Sequence, residues 1–164
     1  MTCEHLVNKS QGLKVGFLGL NASSKTATLI DGGNATFSST NLRQIGLSLI
    51  KILEKAAETK NTYVYVSSFQ TSQKEILAAA EKITGEKWTV KDITSKGLID
   101  LGNEKLKKQD FSGLPDLIRG AVFGSAGLGD SAPAGLWDDK LGLQKEDFEE
   151  SVKLGLSGRL VGEK

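Results

Sequence analysis

A chain of 164 residues has room for one domain with a buried core. Its apolar and charged fractions, 38% and 25%, are those of a water-soluble globular protein. With 21 basic against 20 acidic residues the formal charge is +1, which leaves no long-range pull on nucleic acid or an anionic membrane.

Residues 1–11 are polar and read as a flexible N-terminus, with a single domain over 12–164. That terminus holds the one cysteine, Cys3, and the one histidine, His5. A lone cysteine makes no internal disulfide, and two ligands make no four-coordinate zinc site, so no metal is expected. No apolar run approaches a membrane span and no signal peptide is visible, so the expected location is cytoplasmic.

The stretch "GLKVGFLGLNASSKTATLIDGG", Gly12 to Gly33, has the outline of a dinucleotide-binding opening. The outline fails in detail. A frame begun at Gly19 meets Asn21 and Ser24 where the fingerprint needs glycines. A frame begun at Gly16 meets Leu18 and Asn21. The acid Asp31 follows Gly19 by twelve residues, too few for a helix and a strand. The Gly-Lys-Ser/Thr of a P-loop is also absent. No cofactor-binding residue is therefore assigned. Leu13 to Leu20 is a short helix or strand, "NASSK" a polar connection and "TATLI" a strand. "DGGN", Asp31 to Asn34, predicts a hairpin-type turn, and "ATFSS" the next extended segment.

From Asn41 the period becomes helical. Leu42, Ile45, Leu49, Ile52, Leu53 and Ala56 share one face, expected to be the core face. Asn41 and Gln44 have the spacing of a capping box. "NTYVYVSSF" predicts a strand apolar on both faces, as in a buried parallel sheet, with Tyr63 and Tyr65 in the core. Ser67 and Ser68 read as capping residues before a helix. "TSQKEILAAAEKITG" is that helix, with a Ser72–Glu75 capping box, an inner face of Ile76, Ala79, Ala80 and Ile83, and Gly85 as its stop. "EKWTVKDI" is a strand with Trp88 and Val90 on one face. "TSKGLIDLGNEKLKKQ" is a helix diluted by Gly97 and Gly102, and its Lys105, Lys107 and Lys108 form a solvated face.

"SGLPDLIRGAVFG" predicts a helix with Pro115 in its first turn. Gly124 to Gly142 reads as a flexible loop or lid. "KEDFEESVKLGL" closes the chain with a helix offering Phe148, Val152 and Leu156. Strand, helix, strand, helix, strand from Ala35 to Ile93 implies an α/β fold with parallel pairing. No motif completes a reaction. Asp138 and Asp139 are adjacent and point apart, so no catalytic residue is assigned.

The runs "TATLIDGGNATFSSTNLRQIG", "NTYVYVSSFQTSQKEILAAAEKITGEKWTV" and "LGLQKEDFEESVKLGL" resemble the C-terminal half of the NmrA-like, isoflavone reductase-like proteins, which are atypical short-chain dehydrogenases. The resemblance covers about Gly12 to Leu156. It lies in the order of elements rather than in a catalytic signature. It implies a partial Rossmann-like NAD(P)-binding fold, of which this chain is the substrate-binding portion, with a short parallel or mixed sheet and flanking helices. The family's G-x-x-G-x-x-G loop and catalytic lysine have no counterpart here, and Gln44 stands where the family often has Asp. NADP(H) is thus implied for the family and not expected to bind this chain alone. The resemblance places Phe17, Leu20, Arg119 and Phe123 nearest a small aromatic or secondary-metabolite substrate. It also allows a redox-sensing or protein-interaction module without catalysis. A separate Rossmann partner or a second copy of the chain would cover an exposed apolar patch.

Overall fold

The computed structural model describes residues 16–159. The expectations placed on Cys3, His5 and the rest of residues 1–15 lie outside them. The fold is α/β, with two small sheets and flanking helices. The first sheet orders β1 (Leu20–Asn21), β2 (Thr26–Ile30) and β5 (Thr89–Ile93). β2 runs antiparallel to β1 and parallel to β5, with Ala27 opposite Val90 and Ile30 opposite Ile93. The second sheet pairs β3 (Phe37–Ser39) antiparallel with β4 (Phe69–Thr71).

The helices are α1 (Leu42–Glu54), α2 (Ala56–Thr59), α3 (Gln73–Thr84), α4 (Ser95–Lys107), α5 (Leu114–Phe123), α6 (Asp138–Leu141) and α7 (Phe148–Ser157). α3 follows its sequence closely. The Ser72 hydroxyl accepts from the Glu75 N–H, the Glu75 carboxylate accepts from the Ser72 N–H, and left-handed Gly85 stops the helix. Its face of Ile76, Leu77, Ala79 and Ala80 meets Leu20, Ala27, Leu29 and Ile30 from the first sheet, with Val152 of α7 in the same core. α4 packs on α5 at Gly102, where a Cβ would lie 2.8 Å from the Gly113 carbonyl oxygen. The glycine that dilutes helix propensity thus permits the contact.

Four expectations are corrected. "DGGN" is not a hairpin, because β2 and β3 belong to different sheets. Asp31, Gly32 and Gly33 all have positive φ and carry the chain from one sheet to the other. The expected parallel strand over residues 61–69 makes one isolated bridge, Tyr65 to Leu136, before Phe69 enters the antiparallel β4, and both tyrosines are exposed. The Asn41–Gln44 box does not form, since both side chains turn to residues 144–151 instead. Trp88 is buried ahead of β5 while Val90 is exposed, so they share no face.

Two polar side chains anchor the first sheet, buried Gln73 and partly exposed Asp31. Gln73 is 1% exposed. Its Oε1 accepts from the Ile30 N–H at 2.9 Å, and its Nε2 donates to the Leu18 and Thr28 carbonyls at 2.8 and 3.3 Å. A Cβ on Gly19 would lie 2.4 Å from that nitrogen, so this glycine serves the packing of β1 rather than a phosphate. Asp31 accepts from the Ser95 N–H and hydroxyl and from the Ser125 N–H, at 2.9, 2.7 and 3.0 Å. These bonds, the Ser95 hydroxyl first, lower its pKa to about 2.

Gln73→Leu leaves three backbone groups unpaired in the core, so it should lower unfolding stability by about 2–4 kcal/mol in urea titration. A loss under half a kcal/mol would show that water replaces the amide. Because the folded pKa of Asp31 is depressed, its contribution is full above about pH 4 and fades as pH falls towards 2. Asp31→Asn should therefore flatten the acid limb of the stability curve in that window and leave its shape near neutrality unchanged.

Candidate functional site

α1 buries the side opposite to its apolar one. Gln44 and Ser48 are buried, while Leu49 and Leu53 are 57% and 77% exposed. The reason is a polar cleft beneath the helix. Its larger cavity, about 680 Å³, lies between residues 67–71 at the start of β4, the 136–139 segment and the 143–148 segment. A second, about 520 Å³, continues on the other side of residues 142–147 and reaches Arg43, Leu47 and Lys51 of α1. Gln44 lines both, and its Nε2 donates to the Gln144 carbonyl at 3.1 Å. An apolar residue at 44 would strand that carbonyl, which is why the helix turns this side inward.

Glu146 holds the common wall. Its Oε2 accepts from the Ser68 hydroxyl at 2.5 Å and from Asn41 Nδ2 at 3.1 Å. Ser68 Oγ in turn accepts from the Asn41 N–H. Glu146 Oε1 is buried with no hydrogen-bond partner. Across the cavity Asp138, at the start of α6, accepts from the Ser67 N–H at 3.0 Å. Phe69 and Phe148 meet edge to face at 5.3 Å and form an apolar flank. Ser67 and Ser68 therefore build the cavity wall, and the cap of α3 is Ser72.

Four carboxylates line the larger cavity, Glu75, Asp138, Asp139 and Glu146, against one cation, Lys145. The excess of negative charge repels a pyrophosphate and suits a ligand offering hydroxyl or ammonium donors with an apolar flank. Among the described residues no group of three or more His, Cys, Asp or Glu could hold a metal ion. No helix there is long and apolar enough to cross a membrane.

The residues expected nearest a substrate lie elsewhere. Phe17 packs edge to face on Phe123 at 6.3 Å, and Phe123 on Phe37 at 4.8 Å. Leu20 and Phe123 are core residues. Arg119, one turn before Phe123 on α5, is half-buried, and its Nε is enclosed without a hydrogen-bond partner. Burial pulls its guanidinium below the ordinary value, against the opposing field of Asp116. Phe17, Leu20 and Phe123 thus belong to one core, Arg119 lies one turn from Phe123 on α5, and neither cavity of the cleft is lined by any of the four. Of the cleft residues Gln44 had a sequence signal, since Gln44 and Ser48 are polar positions four apart on a largely apolar helix, whereas Glu146 had none. The segment over Gly124–Gly142, expected as a loose lid, is tied down. Ser131 N–H and hydroxyl reach Ser38 Oγ, Ser125 N–H reaches Asp31, and Trp137 N–H donates to the Tyr65 carbonyl.

Among curated proteins the chain is similar to the oxidoreductase poxI of Penicillium oxalicum, at 29% identity over 139 residues. The match covers 82% of this chain and 44% of the relative. It is also similar to the oxidoreductase aprR of Aspergillus flavus, at 31% identity over 103 residues, covering 63% of this chain and 35% of the relative. The chain spans less than half the length of the curated relatives it matches. No protein-family profile matches it, and no solved structure does.

Glu146→Ala should cost about 1–3 kcal/mol by leaving the Ser68 hydroxyl and the Asn41 amide without their acceptor. Hydrogen exchange should rise across residues 67–71 in this variant and in Asp138→Ala. Unchanged exchange in both would show that the wall stands without these carboxylates.

Proposed function

We propose that this chain is the substrate-binding part of an NmrA-like, isoflavone reductase-like NAD(P)-dependent oxidoreductase, cytoplasmic and inactive as a reductase by itself. The observation that carries the reading is the similarity to poxI and aprR, two proteins named oxidoreductases, over less than half of their length. The order of elements from β2 to α7 fits the substrate half of such an enzyme. In this reading Phe17, Arg119, Leu20 and Phe123 stand nearest a small aromatic or secondary-metabolite substrate. Phe17 and Arg119 are the two that remain partly exposed, and the buried pair positions them.

This reading assigns NADP(H) to none of the described residues. The position where a glycine would admit a pyrophosphate, Gly19, is filled by Thr28 and Gln73. The large cleft cavity opposes an anion with its four carboxylates. On this reading the dinucleotide sits outside the described residues. A second reading, a regulatory or protein-interaction module without turnover, draws support from the uncovered apolar side of α1.

Calorimetric titration of the chain with NADPH should give no saturable heat. Micromolar binding would overturn the assignment of the cofactor to another segment. Aromatic ketones should broaden or shift the Phe17 and Phe123 ring resonances, and Arg119→Ala should weaken that response several-fold. Silence from the whole series would favour the interaction module.

A further inference from the structure

The outer face of α1 is apolar and uncovered. Leu42, Ile45, Leu47, Leu49, Ile50 and Leu53 are all exposed. Six large apolar side chains on one helix form a contiguous patch rather than the single exposures normal on a soluble surface. Leu42, Ile45, Leu49 and Ile52 also follow the three-four spacing of a helix-pairing seam. Gly46 lies within this face, and a Cβ there would meet nothing within 4 Å. A mid-helix glycine weakens the helix and serves no contact inside this chain. What it offers is bare backbone that another helix can approach closely.

We propose that this face is the interface of a two-fold homodimer, with α1 of a second copy packed antiparallel against it. A two-fold contact requires a self-complementary surface, in which residue i meets j and j meets i. α1 carries one. Its apolar side is interrupted by two exposed charged residues, Arg43 near one end and Glu54 at the other. Antiparallel packing about the middle of the helix sets Arg43 toward Glu54 of the second copy, twice. Glu54 pairs at present only with Lys51 of its own helix, an exposed contact of small value that a new partner can displace. The formal charge of +1 leaves no repulsion between copies to overcome. The larger cavity takes only Gln44 from this helix, so dimerisation leaves it open, while Arg43 and Leu47 bring the edge of the second cavity to the contact.

The inference needs neither cofactor nor substrate and stands apart from the proposed function. Sedimentation velocity of the full chain over a concentration series tests it. The expected result is a reversible equilibrium between the 17.5 kDa monomer and its dimer, with micromolar dissociation. Leu49→Glu should return the chain to monomer with an unchanged far-UV circular dichroism spectrum. Arg43→Glu and Glu54→Arg should each weaken the dimer several-fold, and the two together should restore it. A monomer at every concentration overturns the proposal and assigns the face to the remainder of a longer oxidoreductase. Open-ended aggregates of no defined mass overturn it too, as does a dimer indifferent to Leu49→Glu. Failure of the paired swap overturns the antiparallel arrangement.

Discussion

The side chain of Gln73 does the work of a missing strand. β2 has β5 along one edge, but β1 covers only two residues of the other. Beyond that point the Ile30 N–H and the Thr28 carbonyl face the core, where no strand meets them. A buried amide can serve both, because one end accepts and the other donates. Gln73 stands at the first turn of α3, so its placement depends on the Ser72 cap that starts the helix. The cap, the amide and the strand edge thus form one unit. The core of Leu20, Ile30, Ile76 and Ala80 assembles around it. Gly19 and Gly33 complete the unit by leaving room for the Gln73 side chain.

α1 shows how a polar cleft can decide which way a helix faces. Burial of its leucines would gain apolar area. It would also withdraw Gln44 from the Gln144 carbonyl and open the wall that Asn41 and Glu146 share. Among the described residues nothing stands opposite the leucines, so the polar side wins the inner position. The same helix then carries two surfaces, one shaping the cleft and one left to solvent.

The sequence carried its local signals faithfully. α3 was readable from end to end because a capping box, an inner apolar stripe and a terminal glycine are all written within fifteen residues. Pro115 in the first turn of α5 and the inward Val152 of α7 were readable on the same grounds. What was not readable depended on partners far away. Periodicity showed that α1 has an apolar face but not what lies opposite it. The two-faced pattern of residues 61–69 predicted a buried strand, and the structure leaves its tyrosines exposed. The turn chemistry of Asp31 to Asn34 was right and the hairpin wrong, since positive φ says how a chain turns and not where it goes next. For the site, the resemblance put Phe17, Leu20, Arg119 and Phe123 nearest a substrate, and the structure sets Phe17, Leu20 and Phe123 in or against the core. The cleft's carboxylates were not seen as one site, because Glu75, the Asp138–Asp139 pair and Glu146 come from α3, α6 and the 143–148 segment, far apart in the chain.

The Asp31 joint bears on the order in which the molecule folds. Its acceptors meet donors 64 and 94 positions along the chain, at Ser95 and Ser125. Loop closure on that scale must be met before the carboxylate contributes anything. The left-handed turn at Asp31 is therefore held by bonds that can close only where β2 lies beside β5 and α4 has begun. Interactions of this kind act mainly on the escape from the native state rather than on its formation. The carboxylate that joins the two ends of the fold is a brake on unfolding, and the protein's lifetime once folded depends on it more than its speed of folding does.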